Sequence, residues 1–320
     1  MPITLPEYAK GVDNPVQRAM IELFPESVDF LSIYPFVTAP GGVYRYMEEA
    51  ALGSNVAFRA INGTVAEGSG LVLDRTEGCY PMAGNIDVDR VLIERHGSEH
   101  RAIKERMLVK QKAAAWAQAF VRGDNQANSL EMTGLRTRLR AVGGSVDGSN
   151  DDSRIFANSS ASGGGPLSLK QLDRAMDLTD GANAILIPRA LRARFAAAER
   201  STNIGGFVTQ DKDDMGRVVT RYNGVPMYVG YEIGRLAPLL PFNEVAAGGG
   251  AAVTASIYIL RFGDDGVCGL ETSPMKVTDI GLLESGVHYR TNIEHDVGMA
   301  IFNPYAALRF SSITNADIVA

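Results

Sequence analysis

Apolar residues crowd the first forty positions without settling into one period. Ile21, Leu23, Phe24, Phe30, Leu31, Ile33, Tyr34 and Phe36 are interrupted by Pro15, Pro25, Pro35 and Pro40. Proline removes a backbone donor and fixes φ, so this pattern predicts an irregular arm without long elements. Such an arm cannot form its own core and must lie on something else. The body of its own subunit and a neighbouring copy are both open, and the neighbour is the favoured reading. From Gly42 to Glu94 the period shifts to two. Residues 43–47, 56–61 and 86–93 alternate and carry β-branched side chains, so each reads as strand. The breaks Gly53-Ser54-Asn55, Asn62-Gly63-Thr64 and Gly68-Ser69-Gly70 make the whole stretch a long, loosely supported β excursion. At about 3.3 Å per residue, roughly twenty residues would reach on the order of 60 Å, well past the body of a subunit.

A helical period runs from Glu99 to Arg122. Ser98 is placed to cap it, Glu99 puts negative charge in its first turn, Arg122 sits at its carbonyl end, and Gly123 supplies a left-handed stop. Ile103, Met107, Ala114, Ala117 and Val121 recur on one face with Trp116 and Phe120 beside them. They predict a strut about 36 Å long with one buried face. Ile103, Met107, Trp116 and Phe120 are its candidate core residues.

Beyond the strut, the polar, glycine-rich interval 143–165 reads as an exposed loop. Ser168-Leu-Lys-Gln171 is a capping-box pattern opening a helix, residues 184–187 a short buried strand, and Pro188 the start of a helix to about Arg200. Strand signals at 218–219, 225–229, 257–260, 287–293 and 297–301 make the second half β-rich, so the class is α+β.

Composition narrows the function. Hydrophobic residues are 45% and charged residues 21% of the 320, which excludes wholesale disorder and rod-like folds. A net charge of −6 predicts no sequence-specific nucleic-acid ligand. The two cysteines, Cys79 and Cys268, form no CxxC pair and read as reduced thiols. The first residues lack a basic leader before an apolar core, and no apolar run reaches the length of a membrane span, so a protein made and kept inside a cell is expected.

Candidate chemistry is sparse. His96 and His100 stand four apart around a helix start, yet without HExxH a metal site is not expected. Glu294-His295-Asp296 offers an acid or base, but strand alternation sends His295 to the opposite face from the two carboxylates. A soluble hydrolase using His295 is the reading from the enzyme class. There is no GxSxG elbow and no phosphate-loop sequel to Gly68-Ser69-Gly70. Arg122-Gly123-Asp124 spells an adhesion tripeptide but stands at a helix end. No catalytic residue and no cofactor are predicted.

What is left is an assembly pattern. The passages Ala119-Phe120-Val121-Arg122-Gly123-Asp124 and Gly134-Leu135-Arg136-Thr137-Arg138-Leu139 come first, followed by Ala184-Ile185-Leu186-Ile187-Pro188-Arg189, Tyr222-Asn223-Gly224-Val225-Pro226-Met227 and Val297-Gly298-Met299-Ala300-Ile301-Phe302. In this order of elements the chain resembles the major capsid proteins of tailed bacteriophages, with their Hong Kong 97-like fold. The resemblance implies an N-terminal arm at 1–40 and an extended hairpin, the E-loop, at 41–86. It implies a P-domain with the spine helix at 87–135 and 286–320, and an A-domain at 136–285. It implies a shell of pentamers and hexamers around double-stranded DNA, bound without sequence specificity, in a virion assembled in the bacterial cytoplasm. A scaffolding protein and a portal would be partners, and a decoration protein a further one. An encapsulin-like compartment is the alternative within the same fold. Candidate interface residues are Phe24, Phe30, Tyr34 and Phe36 of the arm, with Arg45, Glu48, Arg59, Glu67, Arg75 and Glu77 of the E-loop. Some shells of this type cross-link through an E-loop lysine, but residues 41–86 contain no lysine, so that bond is expected to be absent.

Overall fold

The spine is one helix, Ser98–Arg122, and the molecule is laid out around it. The computed structural model describes residues 3–10, 15–51, 56–64, 67–68, 70–139, 154–200, 208–212, 218–231 and 237–319. A six-stranded sheet lies against the spine. Its order is Ile3–Thr4, Pro35–Thr38, Val267–Glu271, His288–Ile301 and Lys276–Leu282, with Tyr80–Asp89 on the other flank of His288–Ile301. A second sheet of eight strands runs Ile155–Ala157, Ala307–Thr314, Ala252–Leu260, Ala184–Leu186, Val225–Tyr228, Val218–Tyr222 and Val208–Lys212, with Glu244–Val245 attached to Ala252–Leu260. Two strands, Val43–Ala51 and Leu71–Gly78, pair only with each other. Helices and both sheets share the chain, as α+β requires.

Sheet membership does not follow the expected boundary at 285/286. Val267–Glu271 and Lys276–Leu282 pair with His288–Ile301 beside the spine, whereas Ala307–Thr314 crosses to the second sheet and pairs with Ala252–Leu260. A strand joins whichever neighbour buries its face, and chain order does not decide that.

The arm is corrected on two counts. It contains a 13-residue helix, Pro15–Ser27, because Pro15 occupies the first position, where its missing N–H would have no partner anyway. It also lies on its own subunit. Phe24, Phe30, Tyr34 and Phe36 are buried among Trp116, Phe120, Phe262 and His295, with ring centroids 5.2–6.4 Å apart. They are subunit core, not candidate interface. Asp29 fixes the arm to the second sheet, since its carboxylate accepts from the amides of Val229 at 2.7 Å and Gly230 at 2.9 Å.

The spine keeps its predicted length but not its predicted cover. Val109, Ala113, Trp116, Ala117, Phe120 and Val121 are buried, whereas Ile103 and Met107 are 52% and 59% exposed. All lie within one helical arc, but the first turns are covered only in part: Arg101 there bonds Thr291 and Asp279 at the edge of the six-stranded sheet, leaving Ile103 and Met107 half in solvent. Gly97, not Ser98, is the residue before the helix. Gly123 has φ −49°, so it is not a left-handed stop. It is glycine because a Cβ there would overlap the Met132 carbonyl oxygen, where the chain doubles back.

Three further expectations change. Residues 56–61 form no strand, and the strand expected through Ile93 stops at Asp89, whose carboxylate accepts from the Val91 amide and opens the helix Arg90–His96. Of the glycine-rich interval, 143–153 lies outside the described residues. The rest is no loose loop: Ile155–Ala157 pairs in parallel with Ala307–Thr314, and Phe156 is buried. Asn223 and Gly224, with φ 48° and 82°, turn the hairpin between Tyr222 and Val225.

Candidate assembly surface

Among the described residues, the hairpin Val43–Ala51 with Leu71–Gly78 pairs with no other strand and leaves much of its surface uncovered. Its root is fastened by alternation. Tyr44 and Tyr46 point to one face and pack on Phe302 with centroids 5.8 and 5.0 Å away, and the Tyr46 hydroxyl donates to the Ile301 carbonyl at 3.0 Å. The amide of Cys79 closes the base on the Gly42 carbonyl at 2.8 Å. Arg138 then clamps it from the short helix Leu135–Arg138: its two terminal nitrogens meet both oxygens of Glu77 at 2.5 and 2.6 Å. The same guanidinium donates to the carbonyls of Met299 at 3.0 Å and Thr133 at 2.9 Å. A fork matched to a carboxylate and shielded from water fixes orientation as well as charge.

Past this root the strands leave the body. Met47, Leu71, Val72 and Leu73 are exposed, and at the tip Val56, Phe58 and Ile61 stand almost wholly in solvent. The tip is ordered by a turn in which Gly63 donates to the Ala60 carbonyl at 2.9 Å while Arg59 donates to the Gly63 carbonyl at 3.0 Å. Water gains nothing from such an apolar tip, and burial of each large side chain would return about 1.5–3 kcal/mol.

The expected interface residues divide accordingly. Arg45, Arg59, Glu67 and Arg75 are on the exposed hairpin, and Glu48 is in its first strand opposite Leu73; the Glu48 side chain lies outside the described residues. Glu77 is corrected: it serves its own subunit, holding Arg138. Missed from the sequence were Tyr44, Tyr46, Phe302 and Arg138 as the root, and Val56, Phe58 and Ile61 as the apolar tip. Tyr44 and Tyr46, two apart, signalled a packed face; nothing local marked Arg138.

The remaining chemical candidates have structural work. His295 is buried in the core, its Nε2 is 3.0 Å from Glu271 Oε2, and burial lowers its pKa. Asp296 accepts from Thr272 at 2.6 Å. The His96 and His100 rings are 5.7 Å apart, and among the described residues no three metal-ligating side chains cluster. Arg122 of the tripeptide donates to the carbonyls of Pro238 and Leu239. Among the described residues no helix is long and apolar enough to cross a membrane.

No family model matches the sequence, and no curated protein is significantly similar to it. Solved structures are similar in fold. The capsid of the native GTA particle superposes with a TM-score of 0.59 at 15% identity, over 89% of this chain and 89% of that one. The capsid of cyanophage A-1(L) gives 0.55 at 14% identity, over 95% of both chains. The holo-SrpI encapsulin complex of Synechococcus elongatus gives 0.59 at 13% identity, over 89% of this chain and 87% of that one. The chain has the Hong Kong 97-like capsid fold. The shared fold extends over nearly the whole chain.

Proposed function

We propose that the chain is a shell subunit, the major capsid protein of a tailed bacteriophage, closing as pentamers and hexamers around double-stranded DNA. The observation that carries this is the hairpin: it is fastened at its root, and its apolar tip is covered by none of the described residues of its own subunit. Identical copies that each lend one such arm and receive another build repeating heterologous contacts, the geometry from which closed shells arise. The hairpin then has the role of the E-loop, 41–86. The spine with its six-stranded sheet has the role of the P-domain, and the eight-stranded sheet that of the A-domain. The segment at 1–40 is an arm by position but part of the P-domain core by packing. A virion location, assembly in the host cytoplasm, and a scaffolding protein, portal and decoration protein as partners belong to this reading. The encapsulin likeness supports a second reading, a cellular compartment with protein cargo.

Electron microscopy of purified protein tests the shell, using Phe58→Ser with Ile61→Ser as the variant. The pair is exposed, so the subunit should melt within about 0.5 kcal/mol of the parent while closed particles disappear. Unaltered particles from that variant, or a parent that stays monomeric at high concentration, would refute the reading. Nuclease-protected DNA inside the particles favours the phage; co-purifying enzyme without DNA favours the compartment.

A further inference from the structure

Where the spine ends against the eight-stranded sheet, several elements bring charge to one place. Arg122 closes the spine, Arg136 lies in Leu135–Arg138, Glu244 in Glu244–Val245, and Arg309 in Ala307–Thr314. Ser256 and Tyr258, two apart in Ala252–Leu260, share a face, and Tyr258 is directly opposite Arg309 in the ladder. Glu244 is nearly buried and already bonded: Arg309 Nη2 donates to its Oε2 at 2.8 Å, and the Ser256 hydroxyl donates to the same oxygen. Arg309 Nε donates to Ser256 Oγ at 2.9 Å. Arg122 donates to the carbonyls of Leu239 at 2.6 Å and Pro238 at 3.3 Å. Arg136 is held more loosely. Its Nε is 3.7 Å from Glu244 Oε1, beyond hydrogen-bond reach, and its side chain is 41% exposed. Arg309 and Arg136 therefore flank a carboxylate whose bonds are taken by Arg309 and Ser256.

The Tyr258 hydroxyl belongs to the same cluster. It is fully buried and has no hydrogen-bond partner. The charges of Arg309, Glu244, Arg136 and Arg122 all act on it, and burial holds its pKa well above the ordinary value, so it remains an O–H donor. A buried hydroxyl with nothing to bond is costly and rare, and here the ladder sets Arg309 directly opposite it.

We propose that Arg136, Arg309 and Tyr258 form a binding site for a tetrahedral oxyanion of the phosphate class. Guanidinium forks match phosphate oxygens, and the Tyr258 hydroxyl supplies a neutral donor at the buried end. Arg136, open to solvent, is the entrance. Glu244 holds Arg309 in place when the site is empty. The oxyanion has two sources, free inorganic phosphate and the phosphodiester of nucleic acid.

The test uses the full chain, titrated calorimetrically with inorganic phosphate in one arm and a short DNA oligonucleotide in the other, against sodium chloride at equal ionic strength. Saturable phosphate binding with a dose-dependent rise in unfolding midpoint is expected. Tyr258→Phe should weaken it about tenfold while leaving the phosphate-free midpoint unchanged or higher, because the unpartnered hydroxyl is gone. Arg136→Gln should weaken it similarly. Binding of the oligonucleotide alone, with the same dependence on Tyr258, assigns the site to phosphodiester. No saturable binding in either arm, or binding indifferent to both substitutions, overturns the proposal.

Discussion

Replacing Phe30 with alanine separates the two places an apolar arm can go. The ring comes from the turn Asp29–Ser32 and has no exposed surface; Phe120, Trp116 and Phe262 stand 5.3, 6.0 and 6.3 Å away between centroids. Returning such a side chain to water forfeits about 1.5–3 kcal/mol of transfer free energy. The void is charged separately, at about 24 cal/mol per Å³, because rings held from three sides collapse little. Together these give about 3–5 kcal/mol, a large fraction of the roughly 5–15 kcal/mol that stabilises an ordinary domain. Urea denaturation of unassembled subunits reads it directly, as a lower midpoint with an unchanged slope. A shift below about 1 kcal/mol would mean that the arm does not belong to the subunit core. Truncation of residues 1–36 follows the same logic: it should yield unfolded or aggregated chain, and not a sound body that merely fails to assemble.

Two other changes probe the spine. Lys112 is buried beneath the sheet, where its amine donates to the Ile293 carbonyl at 3.4 Å; desolvation lowers its pKa to about 8 despite the attraction of Glu294. The unfolded chain then holds more protons than the folded one between about pH 8 and 10.5, so this group makes stability rise with pH across that window. Lys112→Met should therefore raise stability at pH 7 by on the order of 2–3 kcal/mol and flatten that rise; urea midpoints of parent and variant at pH 7 and 10 check it. Gly123→Ala should cost more than about 2 kcal/mol in thermal unfolding, because its Cβ meets backbone that cannot step aside.

Regular elements were largely legible in the sequence. The spine's length follows from apolar spacing between Glu99 and Arg122. Alternation at 56–61 predicts a strand, but no described strand lies beside the tip to pair with it, and alternation alone does not make a ladder. The arm helix was hidden by prolines that in fact sit where a helix tolerates them or soon ends. Of the site, the projecting excursion was legible; its fastening was not, since Arg138 and Glu77 are 61 positions apart.

The sequence by itself determined which side chains avoid water, and through their spacing the class, the spine and the strands. Only the tertiary structure decided what covers each of them. Phe24 and Phe30 meet the subunit's own core, whereas Phe58 and Ile61, no less apolar, stand almost wholly in solvent and Ile103 and Met107 are covered only in part. The reason is physical: hydrophobic free energy is indifferent to which surface displaces the water, so a one-dimensional pattern fixes the need for cover, and three-dimensional geometry fixes whether the subunit supplies it.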